Sequence, residues 1–166
     1  MSTDAIVMLK DDHLEIRKAF RAFQAAGPNA TATKGRLAGE IIRLLTVHTY
    51  LENEVMYPEV RTRLPELSDE VLESYEEHHV ADVLCMELSA MDPGAERFDA
   101  KMAVLIESVT HHMGEEEKDW FPKVRSGIKR TALQELGARM IELRKTAPQS
   151  PAQPSALKKV VDAVIA

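Results

Sequence analysis

Apolar residues recur at helical spacing along almost the whole chain. Thr3 or Asp4 is placed to cap a first helix, which ends near Ala26 and is stopped by Gly27-Pro28-Asn29. A second helix is predicted from about Lys34 to Arg63, closed by Leu64-Pro65, with Pro58 inside it as a bend. Ser68 is placed to cap a third that ends near Met91, before the turn Asp92-Pro93-Gly94. A fourth runs from about Ala95 to Arg125, with Pro122 near its end and Ser126-Gly127 after it, and a shorter fifth spans Thr131 to Lys145. Four long helices joined by short turns predict an all-α fold: an antiparallel up-down four-helix bundle with extra C-terminal helical segments. The expected organisation is a bundle over 1–127, an additional helix packed on it over 128–146, and a Pro-rich linker with a short amphipathic tail over 147–166.

Composition narrows the class. The 166 residues suffice for one domain with a real core, and 7 glycines disfavour a turn-rich all-β fold. The net charge of −6 and the lack of a basic stripe argue against a nucleic-acid partner. Met1 to Asp12 carry three aspartates and no long apolar run, so neither a signal peptide nor a membrane span is expected, and the expected location is cytoplasmic. The single cysteine, Cys85, excludes a disulfide framework and a cysteine-based zinc finger, and reads as a small core hydrophobe. The odd feature is 6 histidines.

Those histidines fall in a repeat. His48-Thr-Tyr-Leu-Glu52 followed by Tyr57-Pro58 recurs as His112-Met-Gly-Glu-Glu116 followed by Phe121-Pro122, at an offset of 64. His13 after Asp11-Asp12 recurs as His78 after Glu76-Glu77, at an offset of 65. The chain therefore reads as a duplicated helical hairpin. At about 100° per residue, His48 and Glu52 share a face with Leu37, Ile41, Leu44, Leu45, Val55 and Met56. His112 and Glu116 lie on or at the edge of the face of Met102, Leu105, Ile106, Val109, Met113 and Trp120, whereas His111 points away. His13 shares a face with Ile6, Leu9, Ile16 and Phe20. On the third helix, His78 and His79 flank an apolar direction set by Val71, Tyr75 and Met86, with Asp82 in its middle.

A buried unpaired ion costs several kcal/mol, against about 5–15 kcal/mol for a whole domain. Inward imidazoles and carboxylates in this number need compensation, and metal ions supply it. For one His-x-x-x-Glu alone, a hydrogen-bonded pair competes with a metal site; the repeat of the pair favours metal. Four imidazoles and two carboxylates exceed one tetrahedral ion, and nitrogen and oxygen donors without thiolate suit iron or manganese.

Taken in order, Asp12-His13-x-x-Ile16, His48-x3-Glu52 with Tyr57-Pro58, Glu77-His78 and His112-x3-Glu116 with Phe121-Pro122 resemble the hemerythrin-like, or HHE cation-binding, family over about residues 4 to 125. The resemblance implies a four-helix bundle holding two iron ions, oxo- or hydroxo-bridged. By position, His13 and His48 would bind one ion, His78 and His112 the other, and Glu52 and Glu116 would bridge them. True hemerythrin has a second histidine four residues on along its third helix, where this chain has Asp82. Asp82, His79 or Tyr75 are the candidates to complete the shell, and the departure argues against simple oxygen carriage.

The resemblance thus implies binding of, or reaction with, oxygen, hydrogen peroxide or nitric oxide, with peroxide- or NO-consuming redox activity as the concrete form. The alternative is a non-catalytic iron or oxygen sensor whose C-terminal segment is the output. Ferritin-like iron oxidation needs Glu-x-x-His on two helices and finds only Glu76-x-x-His79; a zincin motif is lacking. The expected partner is a small diatomic or peroxide ligand, with no nucleic acid and no membrane, on a monomer or weak homo-oligomer. The 156–166 tail reads as a segment docked on the bundle or as a protein contact.

Overall fold

In a computed structural model, residues 3–151 are described, and all elements among them are helical. The expected tail over 156–166 lies outside the described residues. In chain order the helices are α1 (Ala5–Ala25), α2 (Thr31–Leu51), α3 (Tyr57–Arg63), α4 (Ser68–Ala90), α5 (Phe98–Glu115), α6 (Phe121–Gly127) and α7 (Arg130–Arg144). Helix α1 packs chiefly on α2 and on α7, and α4 packs on α5. None of the described helices is long and apolar enough to cross a membrane.

Asp4 caps α1 as expected, its carboxylate accepting from the Ile6 and Val7 amides, and it also pairs with the Arg125 guanidinium at 3.0 and 3.1 Å. Ser68 does not cap α4. A short 3-10 turn, Pro65–Leu67, runs straight into that helix, so Ser68 already lies within it and makes no capping bond. Helix α5 begins at Phe98 rather than near Ala95, because the preceding residues form turns.

The predicted second and fourth helices each contain a widened turn. Glu52–Met56 and Glu116–Trp120 are π-helical: the Tyr57 amide bonds back to the Glu52 carbonyl, and the Phe121 amide to the Glu116 carbonyl. Pro58 and Pro122 come one residue later, in the first turn of the resumed helix, where the usual hydrogen-bond register is already shifted and a missing N–H costs little. Such widened turns carry an extra residue per turn and often accompany functional sites.

Helix α4 departs from the predicted phase. Its buried face is Val71, Tyr75, His78, Ala81, Cys85 and Leu88, which centres His78. Met86, expected in the core, is 39% exposed, and Asp82 sits to the side of the buried face, only partly covered. Leu72, Val80 and Val83 are apolar and exposed as well, so hydropathy does not single out one face of this helix.

The apolar core is divided. One cluster joins Ile6 and Leu9 of α1 to Met56, Tyr57, Val71, Phe121, Leu133 and Met140. The other joins Ile16 and Phe20 to Ile41, Leu45, Cys85, Phe98, Met102 and Leu105. Of the buried polar residues, His13, His78 and Glu116 fall at chain positions between the two sets, while His48 and Glu52 lie among residues of the first and His112 among residues of the second. Helix α7 covers the first cluster with Leu133, Leu136 and Met140. Its approach to the chain start requires Gly137: a Cβ there would lie 1.7 Å from the Thr3 carbonyl oxygen. Gly137→Ala is therefore expected to lower stability by about 1–3 kcal/mol through overpacking, read as a lower Tm. An unchanged Tm would show that α1 does not start against α7.

Candidate metal centre

Each of the four histidines predicted as ligands is fixed by a hydrogen bond at Nδ1. His13 Nδ1 faces Glu117 Oε1 at 2.7 Å, and His78 Nδ1 faces Asn53 Oδ1 at 2.8 Å. His48 Nδ1 lies 3.4 Å from Asp12 Oδ2, and His112 Nδ1 bonds Glu77 Oε2. The acceptors place the ring proton on Nδ1 and leave Nε2 as a lone pair, the arrangement of a metal-ligating histidine. Two acceptors are themselves held by arginines: Arg17 reaches Glu117 and Arg144 reaches Asp12, both at 2.7 Å.

The Nε2 atoms converge in pairs. His13 and His48 stand 3.2 Å apart at Nε2, and His78 and His112 3.0 Å apart. Two donors about 2.1 Å from one ion and at right angles to each other are about 3.0 Å apart, so both spacings fit a shared cation. Each carboxylate touches both pairs. Glu52 Oε2 is 3.3 Å from His48 Nε2 and 3.3 Å from His78 Nε2. Glu116 Oε2 is 3.3 Å from His13 Nε2 and 3.6 Å from His112 Nε2. Atoms of His13, His48, Glu52 and Glu116 lie within 4.8 Å of one another, as do atoms of Glu52, His78 and His112.

Protein hydrogen bonds leave this cluster unsatisfied. Both oxygens of Glu52 and Oε2 of Glu116 are buried with no hydrogen-bond partner among the described residues. Burial pushes the Glu52 carboxyl well above the usual carboxylate range, and Glu116 adds to that. Burial acts the same way on Glu116, but the neighbouring His112, His13 and His48 outweigh it and hold that carboxyl below its ordinary value. His78 is pushed well below the ordinary imidazole range by burial and by His112. Burial also opposes a charged His112, yet Glu116 and Glu77 outweigh it and raise its pKa. Converging lone pairs and carboxylate oxygens in a dry layer are the donor set a cation satisfies.

Tyr57, which enters the sequence pattern only as the residue before Pro58, is a member of the site. Its hydroxyl donates to Glu116 Oε1 at 3.1 Å and lies 3.2 Å from His78 Nε2. Burial, then Glu116 and Glu52, raises its pKa well above 10, which keeps the O–H proton in place as a donor. Tyr57 stacks on His78 at 5.3 Å between centroids, and Phe121, its counterpart in the repeat, stacks on His13 at 5.8 Å.

Asp82 and His79 are not among the clustered side chains. The Tyr75 hydroxyl donates to the Asn53 carbonyl at 3.3 Å. Asp82 is raised by burial to about 6 and neighbours Cys85, whose thiol burial pushes up to about 12. Glu117 is not a plain surface acid, as its bond to His13 shows. The histidine partners were signalled in the chain: Asn53 and Glu117 each follow a carboxylate of the cluster at an offset of 64, and Asp12 and Glu77 each precede a histidine at an offset of 65.

Glu52→Leu tests the balance. In metal-free protein it removes a buried carboxylate without hydrogen bonds, and is expected to raise stability by about 1–3 kcal/mol. Wild-type protein should gain about 2.7 kcal/mol from a divalent transition metal at a hundredfold excess over its Kd, seen as a higher Tm, and the variant should lose most of that gain. A wild-type Tm indifferent to metal would contradict the reading of these residues as ligands.

Comparison with known proteins gives the family. The profile of the family described as Hemerythrin HHE cation binding domain matches residues 4–124. A protein of Nostoc sp. named DNA nickase is 27% identical over 121 residues, covering 73% of this chain and 33% of that protein, so the match spans about a third of that relative's length. The solved structure of a hemerythrin HHE cation binding domain-containing protein from Mycobacterium kansasii superposes with a TM-score of 0.70 at 22% identity, covering 86% of each chain, and shows a shared fold. With all six clustered ligand candidates inside the matched region, the chain belongs to the hemerythrin HHE cation-binding domain family.

Proposed function

We propose that the cluster holds two iron ions, His13 and His48 binding one, His78 and His112 the other, with Glu52 and Glu116 shared between them. The observation that supports this most is that each glutamate lies 3.3–3.6 Å from one histidine of each pair. The scaffold reads as an antiparallel up-down bundle of α1, α2, α4 and α5 over 1–127, with an added helix over 128–146 and a linker and tail over 147–166. The proposed activity is binding of, or reaction with, oxygen, hydrogen peroxide or nitric oxide, in a redox role that consumes peroxide or nitric oxide. Adjacent iron ions supply two one-electron centres and Lewis acidity.

The protein's part is positioning and electrostatics. Glu117, Asp12, Asn53 and Glu77 lock the four imidazoles in one tautomer. The Tyr57 hydroxyl orients Glu116 and offers a proton-bearing group at the centre. Phe121, stacked on His13, and Trp120, edge-on to Tyr57, border the cluster with buried aromatic surface. The DNA-nicking activity named for the Nostoc relative is not carried over, because the match covers a third of that protein.

A second reading, a sensor without turnover, is favoured by one contact chain: His48 faces Asp12, and Asp12 accepts from Arg144 at the end of α7. The centre thereby touches the segment leading to the C-terminus.

Anaerobically reconstituted protein should carry iron and change its optical spectrum on separate exposure to oxygen, peroxide and nitric oxide. Added peroxide should be consumed over many turnovers, and Glu116→Ala should lose iron and at least tenfold of that rate. Iron-loaded protein inert to all three would overturn the redox reading. Spectral change without turnover, together with iron-dependent protease protection after Arg144, would instead favour the sensor.

A further inference from the structure

A cavity of about 100 Å³ opens beside the centre between α4 and the α5 end of the chain's second half. Its wall carries Glu70, Glu73, Glu77, Glu115 and Asp119, and its inner lining includes His112, Glu116 and Trp120. At about 30 Å³ per water, the space admits a partly hydrated ion and is too small for an organic substrate of ordinary size.

The acidic wall does not stand alone. Glu116 is 3% exposed, lines this cavity, and its Oε2 has no hydrogen-bond partner among the described residues. The Trp120 indole N–H is likewise buried without a partner on the same cavity. A buried acceptor and a buried donor at one end of an acid-lined opening are what a hydrated cation meets: carboxylate oxygen for the ion and an N–H for a water it sheds.

Charge along the wall is only partly offset. Lys123 bonds Glu70 at 3.0 Å and Asp119 at 2.6 Å, and Glu77 is engaged by His112. Glu115 has His111 only at 3.9 Å. The wall thus keeps a net negative charge in a narrow opening with protein on its sides, which focuses the field and raises the local cation concentration.

We propose that this cavity is the path by which divalent cations reach the buried centre, Glu73 and Glu115 attracting the ion and Glu116 receiving it. The proposal rests on the reading of the cluster as a metal centre. Loading then runs from the α4–α5 side inward, meeting the His112–Glu116 pair before the His13–His48 pair. The negative wall acts on the rate of filling and leaves the final content to the buried ligands.

The chain's single tryptophan borders the cavity and supplies the readout. Metal-free protein is mixed anaerobically with Fe2+, or with Co2+, and Trp120 fluorescence is followed by stopped flow over a range of salt concentrations, with bound metal measured at the end. For the double variant Glu73→Gln/Glu115→Gln, uptake at low salt is expected to slow about three- to tenfold, the part of a full steering effect of about 10–10³ that two of the wall's acids carry. The difference should shrink toward high salt as the charges are screened, and final metal content should equal wild type. A control, Glu15→Gln/Glu96→Gln, removes the same charge from exposed sites off this cavity and should load at the wild-type rate. Equal slowing in both double variants, or an unchanged rate in the first, overturns the loading path while leaving the metal centre standing. No bound metal in wild type overturns both.

Discussion

The structure turns on a layer of buried charge. Four imidazoles and two carboxylates, each at most 7% exposed, are buried among the residues of two apolar clusters. Apolar packing cannot satisfy Glu52, and protein hydrogen bonds hold every ring at Nδ1 while, among the described residues, Tyr57 alone brings a hydroxyl to the inner side, at His78 and Glu116. A cation at its centre would satisfy what the protein's own groups leave open. That requirement accounts for the widened turns at Glu52 and Glu116, which place both carboxylates toward the middle, and for the prolines that follow without a helical N–H to lose.

The duplication extends beyond the ligands. Asp12 and Glu77 serve His48 and His112, while Glu117 and Asn53 serve His13 and His78. Tyr57 and Phe121 stack on equivalent histidines. The symmetry is broken at two of these positions: an amide replaces a carboxylate at Asn53, and a hydroxyl is added at Tyr57. Both changes fall on the His78 side, which has a less charged ring partner and a hydrogen-bond donor within reach of Glu116. The two halves thus offer similar geometry with different electrostatics, and the acid-lined cavity opens on the half that holds His112.

Much of this was readable from the chain because repetition and helical phase point the same way. His13, His48 and Glu52 sit among apolar neighbours at helical spacing, and His112 with Glu116 repeats the pattern. Helix α4 resisted, since Leu72, Val80, Val83 and Met86 place apolar side chains on its exposed side and blur the face that centres His78. Ser68 has the chemistry of a cap, but the turn before it is already helical. The π turns carry no local sequence mark beyond the proline after them, and phase at a fixed angle per residue passes over them. Tyr57 hid for a related reason: an aromatic before a proline reads as packing until the widened turn brings its hydroxyl to Glu116. The ring partners were in view as repeated neighbours of the ligands, but an acid beside a ligand also reads as a solvated surface group.

The buried layer, on this reading, is neutralised by two iron ions. Anomalous scattering at the iron edge, from crystals of the reconstituted protein, tests it most directly. Two peaks per chain are predicted, one beside His13 and His48 and one beside His78 and His112, each in contact with Glu52 and Glu116. A single peak, or density away from these side chains, would contradict it.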